Sequence, residues 1–80
     1  MARDPFIDFR ERLKCDLRLQ GSSFAQISEQ LGVSQSAVSY VARRRNRSET
    51  IETAIANALG QTVEEVFAGI DRQVQEGRMT

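Results

Sequence analysis

This chain has no histidine and no tryptophan, and only one cysteine and one proline among its 80 residues. Each absence removes a class of chemistry. A single thiol without any imidazole leaves no His/Cys cluster to hold a metal, and no internal disulfide. It also leaves no Ser-His or Cys-His pair to activate a nucleophile. No enzymatic activity, cofactor or small-molecule ligand is therefore expected. No apolar run is long enough for a signal peptide or a membrane span, which points to a cytoplasmic protein. The one thiol, Cys15, falls opposite Phe6, Leu13 and Leu17 on a helical wheel. That predicts a partly exposed, idle thiol in a reducing compartment, or else a residue at a subunit contact.

Net charge is also absent, with 11 basic against 11 acidic residues, which argues against an indiscriminate binder of polyanions. The distribution is uneven, however. Residues 1–48 hold nine basic and five acidic residues, and residues 49–80 hold two and six, so the two parts carry +4 and −4. A basic end for a polyanion and an acidic end away from it are expected. Eighty residues make one domain at most, with little core to spare. The expected domain is 1–80, with an ordered core over 4–76 and a frayed tail over 77–80.

What is present is helical periodicity with clear stops. Asp4 followed by Pro5 reads as a capping carboxylate and a proline at the first helical position. Phe6, Phe9, Leu13 and Leu17 then recur at three- and four-residue spacing, and Gly21 closes the segment. Ser23 and Gln26 match a capping box for a helix starting at Phe24. Ile27 and Leu31 share its apolar face, and Gly32 supplies the left-handed residue that ends it. Val33 is expected to fill the corner. Ser34 caps a third helix from about Gln35 to Arg44, with Val38 and Val41 inward. After a polar turn at 46–48, Ser48 caps a fourth helix. Its Ile51, Ala54, Ile55, Ala58 and Leu59 give the cleanest amphipathic pattern in the chain. Thr62 and Glu65 form another capping box, followed by an apolar stripe through Val63, Val66, Phe67, Ile70 and Val74, with Gly69 a point where this helix could kink or divide. The result is an all-α, five-helix domain with no strand signal. The expected core is Phe9, Leu13, Leu17, Phe24, Ile27, Leu31, Val33, Val38, Val41, Ile51, Ile55, Leu59, Val63, Val66 and Phe67.

Residues 24–41 have the layout of a DNA-binding helix-turn-helix, whose second helix enters the major groove. A plain helical hairpin would share the spacing. Gln35, Ser36, Ser39 and Tyr40 fall off the apolar face of the second helix and suit base edges and phosphates. Arg43, Arg44, Arg45 and Arg47 follow directly, where phosphates would lie. One such motif reads only a few base pairs, so a weak homodimer, or a dimer formed on DNA, is expected. Ile70 and Val74 offer an apolar surface for it; the alternative is that both pack back on the first helix. A protein-interaction module that binds a polymerase subunit or another regulator is the second reading. The acidic residues Glu49, Glu52, Glu64 and Glu65 would serve it.

Five helices with the helix-turn-helix as the second and third resemble the lambda-repressor-like superfamily, notably at QSAVS (35–39) and TVEEVFAGIDRQV (62–74). Within it the chain is similar to the Ner-like regulators of Mu-type phages and their bacterial relatives. That likeness rests on GSSFAQISEQLG (21–32), with Ser28 where many such proteins have alanine, and on IANALG (55–60). The resemblance implies a transcriptional regulator, usually a repressor of phage or prophage genes, acting on pseudo-palindromic operator DNA. It implies that Gln35 and Ser36 meet base edges, that Ser39 and Tyr40 lie one turn on, and that Ser23, Phe24 and Ser34 bring helix N-termini to phosphates. Ner-like proteins often carry a Trp-Pro-Lys-Gly-Glu segment between the third and fourth helices. This chain has arginines and NRSET there, so contacts from that loop are not carried over.

Overall fold

A computed structural model describes residues 4–78, with side chains described through residue 72. It contains α1 (Pro5–Leu19), α2 (Phe24–Leu31), α3 (Gln35–Ala42), α4 (Glu49–Leu59) and α5 (Val63–Arg78). No strand occurs among the described residues. No helix there is long and apolar enough to cross a membrane.

The helix starts follow from local chemistry. Asp4 Oδ1 accepts from the Phe6 N–H at 2.9 Å. The hydroxyls of Ser23, Ser34 and Ser48 accept from the N–H groups of Gln26, Ala37 and Ile51, three residues on. Thr62 and Glu65 close a reciprocal box: Glu65 N–H donates to Thr62 Oγ1 at 3.1 Å, and Thr62 N–H donates to Glu65 Oε1 at 2.9 Å. Each cap satisfies an N–H that the helix itself cannot, which contributes typically about 1 kcal/mol.

The helix ends share one device. After α1, α2 and α4 a glycine takes a left-handed φ of 75°, 68° and 69°. In each case the glycine N–H bonds three residues back and the next N–H bonds five back: Gly21 to Arg18 and Ser22 to Leu17, Gly32 to Glu29 and Val33 to Ser28, Gly60 to Asn57 and Gln61 to Ala56. The end of α3 makes the same two bonds, Arg44 to Val41 and Arg45 to Tyr40. There the left-handed residue is Arg44, at φ 60°. A β-carbon in this region costs roughly 1–2 kcal/mol, so something must hold Arg44 in place. The helix therefore stops at Ala42, two residues short of the expected Arg44.

What holds Arg44 is its side chain. It is only 3% exposed and reaches α5, where Nε and Nη2 donate to the two carboxylate oxygens of Asp71, each at 3.0 Å. Its Nη1 lies 3.2 Å from Glu52 Oε1 on α4, without the alignment of a hydrogen bond. The guanidinium carbon stacks 4.5 Å above the Phe67 ring centroid. Phe67 in turn meets Phe9 of α1 edge-on, with centroids 5.7 Å apart. One side chain thus ties the end of the third helix to the fourth and fifth, and through Phe67 to the first.

The core contains ten of the expected residues buried: Leu13, Leu17, Phe24, Ile27, Val38, Val41, Ile51, Ile55, Val66 and Phe67. Phe9, Leu31, Leu59 and Val63 pack against them half-buried. Val33 departs from expectation, at 38% exposed. Its backbone is committed to the helix stop through Ser28, and Phe24, Ile27, Val38 and Val41 already fill the space between α2 and α3. Ala42, Ala56 and Ile70 join the core as well. Ile70 is 5% exposed within its own chain, so of the two placements open to it this is the packed one, and it offers little to a dimer contact. The side chain of Val74 lies outside the described residues. Cys15 is exposed. Gly69 neither ends nor divides α5, because Val66, Phe67 and Ile70 anchor the turns on both sides of it.

Two outcomes test this account. Ile55 is fully enclosed and Leu59 only partly, so Ile55→Ala is expected to cost about 2–5 kcal/mol by chemical denaturation and Leu59→Ala clearly less. Equal losses would mean that α4 is rotated from the position described. Arg44→Ala is expected to cost roughly 3 kcal/mol, as removal of one partner from a buried ion pair does. Arg44→Gly should be about 1 kcal/mol more stable than Arg44→Ala, since glycine removes the left-handed strain. The reverse order would show that φ at this position is not strained.

Candidate nucleic-acid interface

The surface of α3 divides cleanly. Val38, Val41 and Ala42 face the core, while Gln35, Ser36 and Tyr40 are exposed. Ser36, Tyr40 and Arg43 stand at i, i+4 and i+7, one outward stripe of a helix. Tyr40 is 44% exposed and presents a ring and a hydroxyl that the core does not use. Gln35 sits in the first turn, where a recognition helix comes nearest to bases. Ser39 is only half-buried and lies on the flank toward α1, where its Oγ accepts from Arg10 Nη1 at 3.5 Å. That contact sets it beside the outward stripe, one step from its centre.

The caps of α2 and α3 form as the sequence predicts. Ser34 is exposed and Ser23 half-buried, and each satisfies one N–H at its helix start. A cap of this kind still leaves other first-turn N–H groups without a partner inside the helix. Phe24 is 8% exposed, so only its backbone could take part in an interface.

The four arginines separate by role. Arg45 and Arg47 are exposed and Arg43 is half-buried with its Nε enclosed and unpartnered. Arg47, 65% exposed, leans toward Asp71 at 3.4 Å. Arg44, expected among the phosphate contacts, is instead enclosed by Asp71, Glu52 and Phe67. The correction has a physical cause: the left-handed turn at Arg44 swings its side chain away from α3's outward stripe and onto α5. Sequence periodicity cannot register this, because it treats residues 43–45 as a continuation of the helix. Arg10 was missed for the opposite reason. It lies far from the helix-turn-helix in sequence, and only the packing of α1 on α3 brings it to Ser39.

No group of residues that could hold a metal ion is found among the described residues. The arrangement is suited to contact with a polyanion along one face: a short polar stripe on α3, with cations at its end and beside it.

The chain belongs to the winged helix-turn-helix DNA-binding family, whose pattern it matches over residues 9–73. Among the described residues the stretch that follows α3 in this match is helical, formed by α4 and α5. Searches of curated proteins and of solved structures give no match. As a family member the protein is DNA-binding.

The division among the arginines is measurable. Replacing both Arg43 and Arg45 with alanine is expected to weaken binding to any duplex and to lower the log–log salt slope by about 0.9 for each phosphate no longer neutralised. Melting should change little. A slope equal to that of the parent protein would remove both residues from the interface.

Proposed function

We propose that this protein is a sequence-specific transcriptional regulator that lays α3 in the major groove of duplex DNA. The observation that carries the reading is the outward stripe of α3, where Gln35, Ser36 and Tyr40 are free of the core and Arg43 and Arg45 stand at the end. Gln35 is suited to a bidentate contact with adenine, and the hydroxyls of Ser36 and Tyr40 to base edges or phosphates. Ser39, on the flank, adds a hydroxyl at the rim. In this reading the helix starts at Ser23 and Ser34, whose caps leave other first-turn N–H groups without a partner inside the helix, offer those groups to DNA phosphates.

In this reading the protein is a repressor of phage or prophage genes of the Ner-like type, acting in the cytoplasm at the nucleoid. The support is the likeness of residues 21–32 and 55–60 to that group. A pseudo-palindromic operator follows from economy of recognition. A single α3 contacts too few bases for selectivity in a genome, and two copies on half-sites about one helical turn apart supply it. With Ile70 enclosed in its own chain, pairing is weak in free solution and forms on the operator.

Selection of bound duplexes from a random pool tests the reading. The expected product is a pair of half-sites in inverted orientation. Gln35→Ala should then lose about 1–3 kcal/mol of discrimination at one position of each half-site, while affinity for scrambled duplex changes little. Equal weakening on operator and scrambled DNA would take Gln35 away from the bases.

A further inference from the structure

Arg10, Lys14 and Arg18 stand at i, i+4 and i+8 along one face of α1. Three cations in such a row repel one another. The packing fixes where the row lies. At one end Arg10 Nη1 reaches Ser39 Oγ on the flank of α3's outward stripe. At the other, Arg18 is in the last turn of α1, just before the turn whose Ser23 caps α2. The row therefore starts at the flank of α3 and runs along α1 toward the turn that leads into α2.

The cations are incompletely satisfied. Arg10 Nη2 pairs with Glu11 Oε1 at 2.8 Å, and Lys14 Nζ lies 3.8 Å from the same oxygen. One carboxylate oxygen is thus shared by two cations. Arg10 Nε is enclosed without a hydrogen-bond partner, and the contact to Ser39 is long. A cation at Arg18 complements the helix C-terminus. That effect does not extend to Arg10, in the middle of the helix, or to Lys14.

We propose that Arg10, Lys14 and Arg18 form a second phosphate-binding row, which engages the DNA backbone alongside the groove that α3 enters. Glu11 partly offsets Arg10 and Lys14 in the free protein and gives up Arg10 to a phosphate on binding. The proposal rests on the reading of α3 as the DNA-facing helix. It adds α1 as a second line of backbone contact and makes Glu11 a brake on affinity.

The test is duplex binding over a series of salt concentrations, with thermal melting as the control for folding. The triple variant Arg10→Ala, Lys14→Ala, Arg18→Ala is expected to bind at least about tenfold more weakly and to lower the log–log slope by roughly 2–3, at about 0.9 per phosphate. Glu11→Gln, at an exposed position, is expected to bind several-fold more tightly with a steeper slope. Should the triple variant fail to fold, Glu11→Gln and Lys14→Ala carry the test, with opposite expected signs. If the Arg43 and Arg45 variant flattens the slope while the α1 variants and Glu11→Gln leave it unchanged, the row is overturned and the α3 reading stands. If the parent protein binds no duplex at all, both fall.

Discussion

An arginine side chain almost without solvent sits where α3, α4 and α5 meet, and the geometry of the exposed face of α3 depends on it. Arg44 occupies a backbone conformation that the ends of α1, α2 and α4 reserve for glycine. Its guanidinium is held in a fork by Asp71, set against Glu52 and laid over Phe67. Burying a charge is costly, and the planar fork with its stacked ring is the arrangement that best offsets the cost. Lysine has neither the fork nor the plane. The sharp end of α3 follows from this contact, and so does the direction in which Arg43, Arg45 and Arg47 leave it.

The domain separates tasks by face. Apolar residues of all five helices meet in one cluster, with Leu17, Val38 and Ile55 fully enclosed. The acidic side chains Glu52 and Asp71 turn inward to Arg44, so part of the negative charge of residues 49–80 is structural. Among the cations of α1 and of the segment after α3, Arg12, Lys14, Arg18, Arg45 and Arg47 are exposed, Arg10 and Arg43 are half-buried, and Arg44 is enclosed. Zero net charge thus coexists with clustered surface cations, because two of the carboxylates, Glu52 and Asp71, are taken up by the enclosed Arg44.

What could be read from the sequence was what is encoded locally. Caps act over three residues, so Ser23, Ser34, Ser48 and the Thr62–Glu65 pair were visible as letters and appear as hydrogen bonds. Glycine stops were visible for the same reason. Apolar periodicity placed the buried faces, and with them the exposed side of α3. What escaped was set by distant partners. Nothing near Arg44 marks it as a stop, because Asp71 is 27 residues away. Arg10 and Ser39 are 29 apart, and no spacing rule joins them. Val33 misled because an apolar residue at a corner looks like a plug, whereas the helices on either side had already filled the space.

The helix stop at Arg44 also has a consequence for modularity. In many small domains a helix-turn-helix could be regarded as a self-contained cassette, with the remaining helices as a platform. Here the second helix of the cassette is terminated by a carboxylate from the last helix. A shortened chain lacking α5 would lose the Asp71 fork and the Phe67 ring, leaving the strained left-handed arginine with Glu52 alone beside it. The contact that restrains the end of α3 comes from the far end of the chain, so the helix-turn-helix and the helices behind it are expected to lose structure together.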